Sequence, residues 1–282
     1  NSIYADKDGN LFDPNEGAKD IEEGKVIFIG NPDYRIQEDY LRILRYVRFF
    51  INYSNHPHNP SVKKSIKQNI AGVANLSKER LMSELKKIIL SKNFLQLSKD
   101  SFSLEILTII FPQLVNLNNL EKLNDYSKNI FKNKTFIFLI SYLIIDETDN
   151  ANYFLFKYNL SNEDKKRIKF LIENYELFSE KDYFNKKNLQ RIFYFNNKSY
   201  VIDLLDLKIF NSKTVPKKLI QLKKYFEQFK KPIFPLKAQD LLEKYNLKEG
   251  KEFGQKIRLL EDLWLNNSFK LSNKEIDNVL NN

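Results

Sequence analysis

Six charged side chains stand close together in the stretch RIQEDYLRILRYVRFF: Arg35, Glu38, Asp39, Arg42, Arg45 and Arg48. Laid on a helix at about 100° per residue, Asp39, Arg42, Arg45 and Arg48 fall in a band around Glu38. Tyr40, Ile43, Leu44, Val47, Phe50 and Ile51 fall on the other side and would enter a core. A solvated face would give a Glu38–Arg42 pair worth about 0.3–0.5 kcal/mol and acidic residues favoured by the helix dipole. The spacing argues for more, because three arginines recur at every third residue. The planar guanidinium suits bidentate recognition. Asp only accepts hydrogen bonds and Arg only donates them. Cytosine and adenine each present an amino donor beside a ring-nitrogen acceptor, whereas uracil and guanine present the reverse. An adjacent Asp39 and Arg42 therefore complement C and A and oppose U and G. By analogy with groove readout, each paired contact is worth about 1–3 kcal/mol of discrimination, and a mismatch adds the cost of unpaired polar groups.

Such a template needs a rigid helix and a scaffold for it. Hydrophobic residues make up 42% of the 282, enough for a core, while only 7 Gly and 8 Pro disfavour a turn-rich all-β fold. The pattern predicts a mainly α, elongated multi-helix protein with a short α/β remnant at its N-terminus. Residues 1–30 differ from the rest: SIYAD, KDGN and LFD read as strand, turn, strand, GAKDIEEGK as a short helix or loop, and VIFIG as a further strand. A few strands cannot make a stable sheet alone, so they look like the end of a larger domain. From Asn31 the signal is helical. One helix is expected from about Tyr34 to Tyr53, one capped by Ser61 to about Ile70, and one capped by Ser77 to about Leu90. The division expected is 1–30 as the remnant, 31–92 as a neck, 93–200 as a helical body and 201–282 as a helical tail.

The formal net charge of +10 suits a polyanion, RNA first, or else reflects a Lys- and Asn-rich surface. Without cysteine there is no disulfide or thiolate metal site, and a reducing cytoplasm fits. No apolar run reaches the length of a membrane span. The chain begins with Asn1 rather than Met, as a fragment of a longer protein would.

The stretch NPDYRIQEDYLRILRYVRFF resembles the neck helix of class II tRNA nucleotidyltransferases and bacterial poly(A) polymerases, with its Glu-Asp-x-x-Arg motif, further arginines at three-residue steps, and Phe. Here these are Glu38, Asp39, Arg42, Arg45, Arg48 and Phe49, with Arg35 upstream. Tyr40, Ile36 and Asn31 depart from a usual Pro, Phe and Asp, without removing a hydrogen-bonding group from the template. Residues 1–30 resemble the end of the family's catalytic head. LSKERLMSELKKII, with Glu79, Arg80 and Glu84, resembles the next neck motif, and residues 235–269 resemble its tail. The resemblance implies that Asp39 and Arg42 face the pairing edge of incoming ATP or CTP, with Arg45 and Arg48 supporting the pair or touching the nucleotide. It implies CCA addition, or part of it, to the tRNA 3′ end, with Mg²⁺ held in the full-length enzyme. The family's Gly-rich loop and Asp-x-Asp pair are missing here. Asp13, Asp20, Glu22 and Glu23 read as surface charge, so this chain alone is expected to hold nucleotide and RNA without joining them. A poly(A) polymerase and a non-catalytic RNA binder are the alternatives.

Other candidates are weaker. His56 and His58 flank Pro57 and read as exposed loop residues, with no metal ligand near in sequence. Gly250 and Gly254 open a helix among Lys248, Lys251, Lys256 and Arg258, where backbone N–H groups could hold an RNA phosphate, or which is an ordinary turn. Lysine runs such as Lys63-Lys64, Lys217-Lys218 and Lys223-Lys224 read mostly as solvated faces. Nearly all Tyr and Phe, and Trp264, are expected in cores rather than as base-stacking platforms.

Overall fold

The computed structural model describes residues 3–180 and 182–281. Apolar residues at helical spacing dominate, and helices dominate the fold as expected. The chain divides into two compact units, Asn1–Tyr175 with Phe210–Val215, and Glu176–Ile209 with Pro216–Asn282.

The first unit opens with the expected hairpin. Strands β1 (Tyr4–Ala5) and β2 (Leu11–Phe12) pair antiparallel, Tyr4 opposite Phe12, across a turn in which Gly9 has φ +86°. Helix α1 (Gly17–Glu23) follows, its first N–H groups on the Asp13 carboxylate at 2.7 and 2.8 Å. Asp13 is thus a cap and not mere surface charge, and the Ala18 and Gly17 N–H groups hold its pKa below the usual range. The strand expected at VIFIG does not form among the described residues: residues 25–28 have no regular structure and 29–30 make a bend, and the sheet holds only β1 and β2.

Two helices then begin with the same device, an Asn before a Pro whose missing N–H costs nothing at the first helical position. The Asn31 side chain accepts from Asp33 N at 2.8 Å and starts α2 (Pro32–Glu38). The Asn59 side chain accepts from Ser61 N at 2.9 Å and starts α4 (Pro60–Asn69). Asn59, not the expected Ser61, is therefore the cap. Ser77 does cap α5 (Lys78–Ile89), accepting from Arg80 N.

The helix expected over Tyr34–Tyr53 is instead two, α2 and α3 (Leu41–Tyr53). Asp39 between them is extended at φ −157° and ψ 103°. Its carboxylate accepts the Leu41 N–H at 3.1 Å and its carbonyl accepts the Arg42 N–H at 3.0 Å, so it caps α3 and competes with the helical ladder. The next side chain locks the break. A Cβ on Gly72 would lie 2.1 Å from the Tyr40 ring, so that ring rests directly on the glycine backbone. Packing of α2 on α4 and of α3 on α5 buries Ile36, Ile43, Leu44, Val47, Ile66, Leu85 and Ile88. Each contributes about 1.5–3 kcal/mol.

The rest of this unit carries α6 (Ser101–Ile110), α7 (Asp125–Ile130), α8 (Phe136–Ile144), α9 (Asn150–Lys157) and α10 (Asn162–Tyr175). Its core is aromatic: Phe111, Phe138, Phe154 and Tyr158 are fully buried, with Phe210 edge-on to Phe138.

The second unit contains α11 (Lys186–Phe195), most of α12 (Lys198–Phe210), α13 (Lys217–Gln228), α14 (Ala238–Tyr245), α15 (Lys251–Asn266) and α16 (Asn273–Asn281). Trp264 is buried as expected. Lys223 is not on a solvated face: its ammonium is buried 2.8 Å from the fully buried Asp206 carboxylate. Leu241, Phe253, Leu260, Ile276 and Leu280 make a separate small core at the C-terminal end.

Gly72→Ala forces the Tyr40 ring to move and is expected to cost about 1–3 kcal/mol of stability, as overpacking does. Urea unfolding measures this. Adding Tyr40→Ala to Gly72→Ala should cost less than the sum of the two single changes, because the clash is then gone.

Candidate nucleotide-binding cleft

A cleft of about 540 Å³ opens along α3. One wall is the stripe Arg42, Arg45, Phe49 and Tyr53, at the spacing that shares a helix face, joined by Arg35 from α2. Gly17, Asp20 and Ile21 and the irregular segment Lys25–Ile29 form the other. That segment is tied to α3 and the loop after it. Phe28 stacks on Tyr46 at 5.5 Å, the Gly24 carbonyl accepts the Asn55 N–H at 2.9 Å, and the His56 ring lies 2.9 Å from the Glu23 carbonyl. Gly24 is required there: its φ is +66°, and a Cβ would lie 2.5 Å from the Asn55 side chain.

The break at Asp39 redistributes the charged band expected from the sequence. Glu38 is a hub that binds Arg42 and, at 2.7 Å, Arg35. These two guanidiniums, Arg42 first, hold its carboxyl below the usual range. Arg42 also donates to the Arg35 carbonyl, which fixes its fork at the cleft. Arg45 is exposed in the cleft, and no hydrogen bond or ion pair engages it among the described residues. Asp39 lies outside the lining. Both of its carboxylate oxygens accept from Arg80, at 2.9 and 3.0 Å. Arg48 also lies outside the lining. Its Nε donates to the carboxylate of Glu84, whose side chain is 1% exposed, and its guanidinium sits 4.4 Å over the Phe49 ring. The structure thus brings Arg35, Glu38, Arg42 and Arg45 together and gives Asp39 and Arg48 partners on α5.

Sequence reasoning missed three features. Arg80 and Glu84 were recognisable as motif residues, but nothing local showed that they pair with Asp39 and Arg48, 41 and 36 positions away. His58 is no exposed loop residue. Its side chain is 8% exposed, its Nδ1 lies 2.9 Å from the Tyr46 hydroxyl, and its Nε2 lies 3.0 Å from both Asp100 oxygens. Its ring also stacks on Phe50 at 3.4 Å. Burial would raise the Asp100 pKa, but hydrogen bonds from His58 and Ser103 outweigh it and lower the value. Burial and the Asp100 charge push the Tyr46 hydroxyl up. Finally, Phe49 and Tyr53 are 40% and 65% exposed in the cleft, not in a core.

In the second unit, Lys256 donates to the Leu280 carbonyl at 3.1 Å and pairs with Glu252. It holds α15 to α16 and is spent on the fold. Lys248, Lys251 and Arg258 are exposed. Gly250, extended at φ 167°, and Gly254 have open space where a Cβ would stand, so no packing demands glycine at either position. Among the described residues no group of three or more carboxylate or histidine side chains is placed to hold a metal ion.

Arg48 and Arg45 therefore differ in kind. Arg48→Ala leaves Glu84 buried without its main partner and is expected to cost about 3–5 kcal/mol, whereas Arg45→Ala should change stability by under about 0.5 kcal/mol. Urea unfolding of the two variants gives the comparison.

Residues 59–117 match the family described as the probable RNA and SrmB-binding site of polymerase A. Over 287 residues the chain is 29% identical to the mitochondrial CCA tRNA nucleotidyltransferase 1 of Homo sapiens, aligning 98% of this chain with 63% of that protein's length. The fold is similar to that of the Bacillus stearothermophilus CCA-adding enzyme in complex with CTP, at a TM-score of 0.65 and 17% identity, covering 94% of this chain and 67% of that one. It is also similar to the Thermotoga maritima CCA-adding enzyme complexed with tRNA, at 0.61 and 16%, covering 96% and 67%. No helix among the described residues is long and apolar enough to cross a membrane. The matched segment, the relatives and the shared helical fold agree in making the chain similar to CCA-adding enzymes and, over residues 59–117, to a segment of polymerase A.

Proposed function

We propose that the chain is the base-reading and RNA-holding portion of a nucleotidyltransferase that adds C and A to tRNA 3′ ends. The observation that carries this reading is the placement of Arg42. Glu38 and the Arg35 carbonyl fix its guanidinium in the lining of the cleft, three residues after Asp39, whose carboxylate lies outside that lining and pairs with Arg80. Held in that way, Arg42 can donate to the ring-nitrogen acceptor of cytosine or adenine. Asp39 can accept from the adjacent amino group. A carboxylate has about four lone-pair sites, so Asp39 can take a base while Arg80 still holds its other side. The pair with Arg80 is partly exposed, and such pairs are worth about 0–1 kcal/mol, so a base can displace Arg80 from Oδ2 at little cost while Oδ1 keeps the Leu41 N–H. Arg45 is left for phosphate or ribose.

The relatives support the substrates: one solved enzyme of this fold holds CTP and another holds tRNA. The net charge of +10 suits the RNA. In this reading residues 1–30 border the catalytic head, 31–92 read the nucleotide, and the helices beyond them hold RNA, with Lys248, Lys251 and Arg258 as phosphate contacts. Phosphoryl transfer of this type uses carboxylates holding Mg²⁺. Among the described residues the acidic side chains do not gather into such a set: Asp13 caps α1 and Glu23 pairs with Lys25. No step is therefore assigned to a metal here. A second reading, poly(A) polymerase, draws on the match of residues 59–117 to a polymerase A segment. It differs in using ATP alone.

Primer extension with each nucleotide in the complete protein separates these readings. CTP incorporation followed by a single A supports tRNA completion; long runs of A without C support the second reading. Asp39→Ala is expected to lower kcat/KM for CTP and ATP about ten- to a hundredfold and to relax rejection of UTP. Unchanged selectivity would remove the template. Binding of tRNA to the chain should weaken by at least about a hundredfold between 50 and 200 mM salt, measured by filter binding. Salt-insensitive binding would reassign the positive charge to surface composition.

A further inference from the structure

The wall of the cleft that faces the arginines has little backbone of its own to stand on. Among the described residues no backbone–backbone hydrogen bond holds residues 26–30. The segment is placed from outside, and the loop of residues 54–59 does so at two points. Near its start, the Asn55 N–H donates to the Gly24 carbonyl at 2.9 Å, and the His56 Nε2 lies 2.9 Å from the Glu23 carbonyl. Farther along, the Phe28 ring stacks on Tyr46 at 5.5 Å with planes 15° apart. Tyr46 is held in turn by the same loop, its hydroxyl 2.9 Å from His58 Nδ1.

The chemistry of this buried cluster calls for histidine. Asp100 caps α6 by accepting the Ser103 N–H at 3.2 Å, and its lowered pKa keeps it ionised near neutral pH. An ionised carboxylate only accepts. His58 Nε2, 3.0 Å from both Asp100 oxygens, therefore carries a proton, and Nδ1 of the neutral ring is left to accept from the Tyr46 O–H. One flat ring thus joins an acceptor at one edge to a donor at the other. Phe50 stacks on it at 3.4 Å and Phe102 meets it edge-on at 4.7 Å, so the ring has no room to swing. The Tyr46 hydroxyl is committed to this cluster while Tyr46 itself lines the cleft. A line of contacts runs from the start of α6 through Asp100, His58 and Tyr46 to Phe28.

We infer that His58 is a positioning residue for nucleotide binding: through Tyr46 and Phe28 it clamps the wall opposite Arg42 and Arg45 at the spacing a bound nucleotide requires. His58 touches no substrate itself. This inference rests on the function proposed above. Without the clamp, a segment that lacks backbone partners must be ordered as the nucleotide binds, and that ordering costs affinity. The loss falls on KM and not on kcat, because a wall ordered by the bound nucleotide is the same wall during the reaction.

The test is steady-state primer extension by the complete protein, with KM measured for whichever of CTP and ATP it incorporates. Tyr46→Phe keeps the ring against Phe28 and removes only the hydroxyl. It should raise KM about fivefold, the factor one net hydrogen bond carries, with kcat within about twofold of the natural protein. His58→Phe keeps a ring beside Phe50 and removes both hydrogen bonds, and should raise KM about five- to tenfold. The two together should be no worse than His58→Phe, because both break the same bond. In a Phe28→Ala background Tyr46→Phe should raise KM no further, since the line of contacts then ends at Tyr46. A purely structural role gives a different result: a less stable protein with a smaller active fraction, hence a lower kcat at unchanged KM. That result in Tyr46→Phe would overturn the inference, as would additive effects in either pair. Should His58→Phe fail to fold, Tyr46→Phe alone and in the Phe28→Ala background still decides. Asp39→Ala is assayed in parallel. If it keeps wild-type selectivity while Tyr46→Phe shows the rise in KM, the template fails and the clamp stands; relaxed selectivity with an unchanged KM in Tyr46→Phe fails the clamp alone.

Discussion

The arrangement of the cleft depends on one local competition, between the Asp39 carboxylate and the helical ladder. Asp39 accepts the Leu41 N–H, its backbone turns extended, and a continuous helix becomes two. That bond alone is worth about a kilocalorie and would not hold a break against the packing on both sides. Tyr40 makes it permanent by laying its ring on Gly72, where no side chain could stand. With the break fixed, Arg42 sits in the first turn of a new helix and points back toward Glu38 and Arg35. The acidic pair at the start of the motif has two separate uses: Glu38 fixes the arginine, and Asp39 holds the start of α3 and pairs with Arg80 of α5.

The four arginines of the motif then sort by the dielectric of their surroundings. Arg48 meets a carboxylate at 1% exposure, where an unpaired charge is costly, and it is committed to holding α3 against α5. Arg35 and Arg42 share one half-exposed carboxylate, which orients them at little cost in charge. Arg45 is exposed in the cleft, with no hydrogen bond or ion pair among the described residues. Among the described residues the four arginines thus give one structural cation, two oriented ones and one, Arg45, with no hydrogen bond or ion pair. The same spacing that argued for recognition in the sequence turns out to mix recognition with architecture.

A comparable division separates buried polar groups from exposed apolar ones. His58 is enclosed by Tyr46, Phe50, Phe102 and Asp100 and is satisfied on both nitrogens. It fixes the Tyr46 ring on which Phe28 stacks, and so the far wall of the cleft. Phe49 and Tyr53 do the opposite, standing 40% and 65% exposed along the cleft.

Composition and periodicity alone determined that the protein is mainly helical, that a hairpin opens it at Asp8-Gly9, and that Ile43, Leu44, Val47 and Ile51 enter the core. These follow from local propensity and from burying one face, which neighbours in sequence decide. The motif around Glu38, Asp39 and Arg42 was legible too, because a fixed pattern of donors and acceptors is a property of residue order. Tertiary structure decided the rest. The break at Asp39 needed Gly72, the fate of Arg48 needed Glu84, and the burial of His58 needed Asp100, each more than 30 positions away. The burial of Lys223 likewise needed Asp206, 17 positions back on another helix. A charged or aromatic side chain carries no local sign of whether its face will be covered. Only the packing of distant helices settles whether it becomes a strut, a buried pair or an open binding surface.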